Sequence, residues 1–308
     1  MARRQRGRGR RTPRPLLHRR HLVQEREWDR GTELLTLFSL TAWGIIQVGR
    51  EVPDARPKPA SIVLVGPPGK MKTELLMRFY GGGQRTNPTI ALRSDVTARG
   101  LWSILLRADR GRITHVLLTE FNRIFQRKAA TASSTIGTMT EMMDEGVFET
   151  EVGPQKYSFN GARCGIIGAM TGKTLKRRRE MLYESGFLDR CAMLPWNPPD
   201  EQIKDVMDRI ARGDKSDLTK VILPRFAKPV RVVMPVKIGL GLSEYTYRRW
   251  PDEALRLFHR FRALTMAAAL LDGRDAVKPV DVERAVMQFE DYWGKMVISD
   301  AAEDNAPV

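Results

Sequence analysis

Residues 61–80 read SIVLVGPPGKMKTELLMRFY, and this stretch decides the predicted fold. The β-branched and apolar run at 61–65 is typical of a buried strand, and it stops abruptly at the Gly-Pro-Pro-Gly sequence of residues 66–69. After the Lys-Thr pair at 72–73, apolar residues recur at helical spacing. This order of strand, glycine loop, Lys-Thr and helix predicts a loop that cradles a phosphate group.

The loop matches the spacing G-x-x-x-x-G-K-[ST] with one departure. Met71 stands where the second glycine is usual, so a side chain occupies a place where the backbone would closely approach a phosphate. The spacing predicts that Lys72 reaches the β- and γ-phosphates of a nucleotide and that the Thr73 hydroxyl binds Mg²⁺. The predicted nucleotide-binding residues are Gly66, Pro67, Pro68, Gly69, Lys70, Met71, Lys72 and Thr73. The alternative is an ordinary strand–turn–helix with a chance Lys-Thr pair.

The composition excludes a fully disordered chain and points to a polyanionic partner. The 308 residues are 42% hydrophobic, which is enough for a substantial core. The formal net charge is +16, and residues 1–20 alone hold nine arginines and no acidic residue. Nucleic acid is the partner that this charge favours, through phosphate contacts and counterion release. The alternative is a solvated basic tail.

The two cysteines predict neither a zinc site nor a disulfide framework. Cys164 and Cys191 lie in predicted strands, with no C-x-x-C motif or histidine cluster nearby. An intracellular, reducing compartment fits this usage. No apolar run approaches the roughly 20 residues that cross a membrane, so we expect no membrane segment.

The sequence pattern predicts an α/β fold with a basic arm and a helical lid. Residues 1–28 are expected to form a disordered basic arm, and residues 32–48 a buried helix. Residues 29–200 then form the α/β core, because short apolar runs alternate with helical stretches, as in a parallel sheet. Residues 201–300 are expected to form a linker and a helical lid. The strands are predicted at 61–65, 115–118, 165–170 and 191–194.

Polar residues follow two of these strands, where ligands of parallel sheets gather. Glu120 follows the strand at 115–118 and is placed to polarise an attacking water. The residue before it is Thr119, where an aspartate that supports Mg²⁺ is usual, so weaker metal affinity is expected. Thr171 ends the strand at 165–170 and is a candidate for contact with a γ-phosphate. The alternative is ordinary polar residues at strand ends.

Two basic segments also allow a functional interpretation. Arg190 precedes the strand at 191–194, and an arginine there can stabilise charge on a phosphoryl group in a neighbouring subunit. It can equally form a local salt bridge with Asp189. The segment 173–179, KTLKRRR, is either a DNA-facing loop or the solvated face of a helix.

Taken in order, several segments resemble the AAA+ ATPase superfamily, and within it the MCM-like replicative helicase group with its phage and plasmid relatives. The resemblance spans about residues 60–293, and residues 143–171 resemble the pre-sensor β-hairpin and the sensor strand of that group. The segments are GPPGKMKT, HVLLTEF, GIIGAMT, FLDRCAML and RFRALTMAAALLDGRDAVKPVDVERAV.

The resemblance implies a P-loop AAA+ core with a carboxyl-terminal helical lid, ATP and Mg²⁺ as cofactors, DNA as a partner, and a homo-oligomer in the form of a hexameric ring. It also implies residue roles. These are the phosphate-loop lysine and Mg²⁺ ligand (Lys72, Thr73), the Walker B glutamate (Glu120), sensor 1 (Thr171), the finger that acts on a neighbour (Arg190), sensor 2 (Arg262) and a channel-facing contact to nucleic acid (Lys156).

The expected function is therefore an ATP-hydrolysing motor on DNA, a ring helicase or translocase subunit in the cytoplasm of a prokaryotic or phage-infected cell. One alternative is an ATP-gated DNA-binding regulator or loader, for which the weak hydrolysis expected from Met71 and Thr119 is suited. Another alternative is a protein-remodelling ATPase of the MoxR or chelatase type, in which the basic arm is incidental.

Overall fold

The computed structural model describes residues 27–49, 56–80, 87–152, 155–214 and 219–288. The helices are α1 Glu27–Leu40, α2 Lys72–Met77, α3 Ala98–Asp109, α4 Ala129–Met143, α5 Gly172–Glu184, α6 Phe187–Arg190, α7 Asp200–Ala211, α8 Val236–Arg249, α9 Ala254–Leu271 and α10, described over 279–288. The strands are β1 Gly44–Val48, β2 Ser61–Val65, β3 Ile90–Arg93, β4 His115–Leu118, β5 Val147–Val152, β6 Gln155–Ala162, β7 Gly165–Met170, β8 Cys191–Pro195 and β9 Val230–Met234.

Five of these strands form a parallel central sheet in the order β3-β4-β7-β2-β8. The four strands predicted from apolar runs are β2, β4, β7 and β8, so the α/β fold with a parallel sheet is confirmed. Because all five strands run in the same direction, their ends form two distinct edges. We call the side of the sheet where the strands end the carboxyl edge, and it carries the loop at 66–71. We call the side where the strands begin the amino edge, and it carries Ala60 and Arg190.

Apolar layers cover both faces of this sheet. Along β2, Ile62 and Leu64 pack into one buried cluster with α1, α2 and α9, whereas Val63 packs into the other with α3 and α4. This alternation follows from the two-residue period of a strand, and burial on both faces explains why β2 is apolar throughout.

The predicted helix at 32–48 is wrong in its last third. Helix α1 ends at Leu40, and residues Gly44–Val48 form β1, which pairs in parallel with β9. Ile45, Ile46 and Val48 are β-branched, which favours an extended backbone. Tertiary packing therefore overrode the continuous apolar pattern.

The predicted boundary of the arm falls just inside α1. Residues 1–26 lie outside the described part of the chain, whereas Glu27 begins the helix and Trp28 is buried, with its ring centroid 6.3 Å from that of Trp196. Within the described residues, no helix is long and apolar enough to cross a membrane.

The carboxyl-terminal helices are attached to the amino-terminal part of the chain. Helix α9 packs against α1 and β1, and β9 completes a two-stranded sheet with β1. The Arg284 guanidinium pairs with Glu33 of α1. These contacts hold the helical region beside the sheet, where its arginines can reach clefts at the edge strand β8.

Candidate nucleotide-binding site

The loop between β2 and α2 is tied to both neighbouring strands. The Gly66 amide donates to the Met170 carbonyl at 3.2 Å, and the Trp196 amide donates to the Val65 carbonyl at 2.7 Å. A Cβ atom at Gly66 would lie 1.8 Å from the Trp196 carbonyl oxygen, so only glycine fits there. The close approach of the β8 exit therefore explains the first glycine of the motif.

Lys72 folds its side chain back into the loop. Its ammonium group donates to the Gly66 carbonyl at 2.9 Å and to the Pro67 carbonyl. Burial lowers the pKa of Lys72, and the nearby Glu74 carboxylate opposes that shift. Both hydrogen-bond partners are neutral carbonyls, and a phosphate would bind the ammonium more strongly because its opposite charge adds Coulomb attraction.

Met71 has the left-handed backbone conformation that glycine adopts most easily. Its φ is 54°, and it is the only non-glycine with positive φ among the described residues. This left-handed conformation costs an L-residue about 1–2 kcal/mol. The side chain is half-buried against the apolar core, which offsets part of that cost.

Lys70 anchors the loop rather than facing a ligand. Its ammonium lies 2.5 Å from Asp200 Oδ1 and donates to the Pro198 carbonyl at 3.2 Å, and its own carbonyl accepts from the Trp196 indole at 2.7 Å. All three contacts join the loop to the segment that follows β8. The hydroxyl-bearing Thr73 is exposed at the start of α2.

The predicted polar residues at strand ends do share the carboxyl edge. Because β7 lies between β4 and β2, Thr171, which follows β7, lies beside the loop. Glu120, which follows β4, lies one strand further away. The Thr171 hydroxyl accepts from the Thr174 amide at 3.2 Å and so caps α5. Glu120 is exposed and accepts from Arg123 Nε at 2.5 Å, while Thr119 is half-buried.

Arg190 lies at the opposite edge of the sheet. The register pairs Ser61 with Cys191, so Arg190 is about six residues, or about 20 Å, from Gly66 along the strand direction. Its guanidinium contacts Glu145 Oε1 at 2.7 Å and Asp144 Oδ2 at 3.3 Å.

The charge state of Arg190 follows from these partners. Burial opposes its charged form, but the hydrogen bond and charge of Glu145, with the charges of Asp144 and Asp189, outweigh burial and raise its pKa. The Asp189 carboxylate itself pairs with Arg256 at 2.7 Å. The predicted local pair of Arg190 is therefore made chiefly with residues that follow α4.

A cleft of about 1100 Å³ opens at the loop of residues 66–71 and extends along β8 between α5 and the region of α8 and α9, which we call the lid. We call this cleft the main cleft. Gly66, Pro67, Pro68 and Thr171 line one end, and the lid contributes Arg256 and Arg260. Arg262 lines a second cavity of about 400 Å³ at the amino edge, together with Arg190.

The main cleft thus involves two arginines that the sequence analysis did not select. Arg256 and Arg260 are four residues apart, which places them on one face of α9. Burial lowers the pKa of Arg260, against the opposing effects of Cys191, Glu253 and Asp189, and its side chain donates to the Asp189 carbonyl at 3.3 Å. The helical spacing was a signal available in the sequence, but it did not show which face meets the cleft.

Lys156 lies in the predicted hairpin, which β5 and β6 form as an antiparallel pair. The turn residues 153–154 lie outside the described residues. The Lys156 ammonium pairs with Glu149 at 2.8 Å, and the hydrogen bond and charge of Glu149 raise the pKa of Lys156. The positive charge that the resemblance assigns to nucleic-acid contact is therefore compensated by its own neighbour.

A comparison with models of protein families finds none that matches this chain, and a comparison with curated proteins finds no significant match.

Proposed function

We propose that this chain binds ATP with Mg²⁺ at the loop of residues 66–73 and uses its hydrolysis to act on DNA, as an AAA+ subunit of a homo-oligomeric ring. The observation that carries the proposal is the Lys72 ammonium, which is held at the loop by two backbone carbonyls beside the end of β7. A lysine in that place supplies a cation for a triphosphate, and the loop amides supply further donors.

Mg²⁺ fits this loop mainly as part of a metal–nucleotide complex. Thr73 and Thr119 offer hydroxyl oxygens without formal charge, and Mg²⁺ commonly takes most of its ligands from phosphates and water. The ion would neutralise charge on the phosphates. Glu120 is the carboxylate available to orient a water, and its exposed pair with Arg123 is worth at most about 1 kcal/mol, so the carboxylate can exchange partners readily.

The distance between Arg190 and the loop supports an oligomer. A single arginine side chain cannot span about 20 Å, so Arg190 would serve the nucleotide of a neighbouring subunit. Arg262 lines the same cavity as Arg190, which supports the same assignment for both arginines. With both assignments, each active site contains residues from two neighbouring subunits.

A second candidate function is an ATP-gated DNA-binding regulator with slow turnover. The side chain of Met71 and the uncharged Thr119 each favour slower hydrolysis. Measured turnover separates the two functions, because a motor requires hydrolysis that DNA stimulates, whereas a regulator requires only nucleotide-dependent binding.

Titration calorimetry with Mg-ATP tests the site itself. We expect Lys72→Ala to weaken binding at least 100-fold, since a charge-assisted contact to the phosphates is lost. Lys204→Ala, which removes an exposed charge from α7, serves as the matched control and should bind like the wild type. Unchanged affinity of Lys72→Ala, or no uptake by folded wild-type protein, would refute the proposed site. ATPase rates with and without oligo-dT then distinguish motor from regulator.

A further inference from the structure

The basic segment KTLKRRR forms part of α5, and one side of that helix faces the main cleft. Lys173, Lys176 and Arg179 line the cleft at three-residue intervals, about 4.5 Å apart along the helix axis, and all three are exposed. Arg177 is also exposed but does not line the cleft. The cations of α5 are therefore divided between the cleft and the outer surface.

The lid supplies the opposite wall and further positive charge. Arg249 and Arg256 line that wall. In total, six arginines and lysines line the cleft against three carboxylates, those of Asp189, Asp252 and Glu253. Arg256 pairs with Asp189, and cations outnumber carboxylates among the residues that line the cleft.

The floor of the cleft is apolar, and two aromatic rings stand on its walls. Leu175, Met193 and Leu257 lie on the floor. Tyr183 is 69% exposed at the end of α5, and Trp250 lies opposite, where it packs against Phe261. Proteins that bind single strands combine a basic groove for the backbone with aromatic side chains on which bases stack.

The lining of the cleft favours an unpaired strand over a duplex. The cleft extends along β8 from Pro195, beside the loop of residues 66–71, to Cys191, a distance of about 13 Å. A duplex hides the faces of its bases, so the apolar floor and the aromatic rings suit an unpaired strand.

We propose that the main cleft binds single-stranded nucleic acid, with phosphates on Lys173, Lys176, Arg179 and the lid arginines and with bases on the floor and Tyr183. This inference extends the proposed function by assigning the surface that contacts nucleic acid, and it requires no bound nucleotide. It adds the main cleft to Lys156, whose exposed pair with Glu149 can exchange partners, as a second surface for nucleic acid.

Fluorescence anisotropy with labelled oligo-dT of about 20 nucleotides, longer than the usual site size, tests the proposal without nucleotide. We expect Lys173→Ala/Lys176→Ala/Arg179→Ala to weaken binding at least tenfold at about 50 mM salt and to reduce the slope of log K against log salt by about 2. The control Arg177→Ala/Lys204→Ala/Lys237→Ala removes the same charge from exposed sites outside the cleft and should bind at most a few-fold more weakly.

Stacking gives a second readout that net charge does not affect. Tyr183→Ala should weaken oligo-dT binding about tenfold, whereas Tyr183→Phe should retain it, because the ring rather than the hydroxyl stacks. Tyr247→Ala removes a comparably exposed ring from α8, outside the cleft, and should leave binding unchanged.

Equal loss in the cleft and control triple variants would overturn the proposal. Duplex DNA of the same length or poly-L-glutamate binding as tightly as oligo-dT would do so too, because a single strand would then not be the preferred occupant. Mg-ATP calorimetry on the cleft variant separates the two proposals: normal ATP uptake with unchanged oligo-dT affinity would refute the cleft while leaving the nucleotide site in place.

Discussion

The two edges of the central sheet hold their principal cations in opposite ways. At the carboxyl edge, Lys72 bonds to the neutral carbonyls of Gly66 and Pro67. At the amino edge, Arg190 is held by the carboxylates of Asp144 and Glu145. An incoming anion can displace a carbonyl from Lys72 at little cost, but it must compete with two charges for Arg190. Lys72 is thus held only by neutral groups, whereas Arg190 is restrained by two opposite charges.

The largest expected effect comes from mixing variants of the two edges. Lys72→Ala and Arg190→Ala should each lower ATPase activity at least 1000-fold, since an arginine acting in trans on a phosphoryl group is worth about 10³–10⁵ in rate. An equimolar mixture should recover part of the activity, because a subunit with intact Lys72 can meet a neighbour with intact Arg190. Steady-state phosphate release measures this recovery.

A control sharpens that result. Lys204→Ala removes an exposed charge from α7 and should leave complementation intact. Complete absence of recovery, in a mixture that native mass spectrometry shows to be mixed, would mean that the two edges act within one chain.

A change at the first loop glycine should be the most damaging to stability. Gly66→Ala would place Cβ against the Trp196 carbonyl, so we expect a loss of roughly 3 kcal/mol or more in the free energy of unfolding. Gly69→Ala should cost only about 1–2 kcal/mol, because its φ is +77° but no atom lies within 4 Å of the added Cβ. Denaturant titration compares the two, and equal losses would show that backbone contact at the β8 exit does not define the loop.

The amino edge should respond to pH through His115. Burial lowers its pKa to about 4, against the hydrogen bond with the Ala60 carbonyl, which raises it. The unfolded state therefore binds a proton first as pH falls, so stability is full above about 6.5 and declines between 6.5 and 4, by about 3 kcal/mol in total. Chemical denaturation across that range measures the decline.

His115→Gln is the informative control for the pH response. It removes the titrating group and should flatten the stability curve between pH 6.5 and 4, apart from the contribution of carboxylates. A wild-type curve with the same slope as this variant would contradict a buried neutral imidazole at the amino edge.

The smallest expected effect concerns the strained residue at the carboxyl edge. Met71→Gly should be more stable than Met71→Ala by about 1 kcal/mol, because glycine tolerates φ 54° without the steric cost that alanine retains. Both variants lose the same packing against the core, so that loss largely cancels in the comparison. Thermal unfolding in the presence and absence of Mg-ATP measures the difference in stability between the two variants. A more stable alanine variant would show that the conformation is not strained.

Much of the fold was accessible from local patterns, with failures where packing decided. The apolar runs located β2, β4, β7 and β8, because strands buried on both faces need continuous apolar sequence. The segment at 44–48 was assigned to a helix, since a short apolar run fits either structure. Its pairing with β9, about 185 residues further along the chain, made it a strand.

The candidate site was also only partly predictable from the sequence. Lys72, Thr171 and Glu120 were identified because strand order along the chain and the loop motif are local signals.

The sequence did not show which space each α9 arginine lines, because that depends on how the helix packs. Arg256 and Arg260 line both the main cleft and the second cavity, and Arg262 lines the second cavity. The compensation of Lys156 by Glu149 depends on the register of the hairpin.

By itself, the sequence determined the strand–loop–helix that positions Lys72, the parallel α/β class and the strongly basic charge, because each depends on residues close together along the chain. Only the tertiary structure decided the order of the strands, the separation of Arg190 from the loop and the alignment of α5 with the lid across one cleft. The physical reason is that close packing and pairing between distant segments select one face or one register from several that local preference allows.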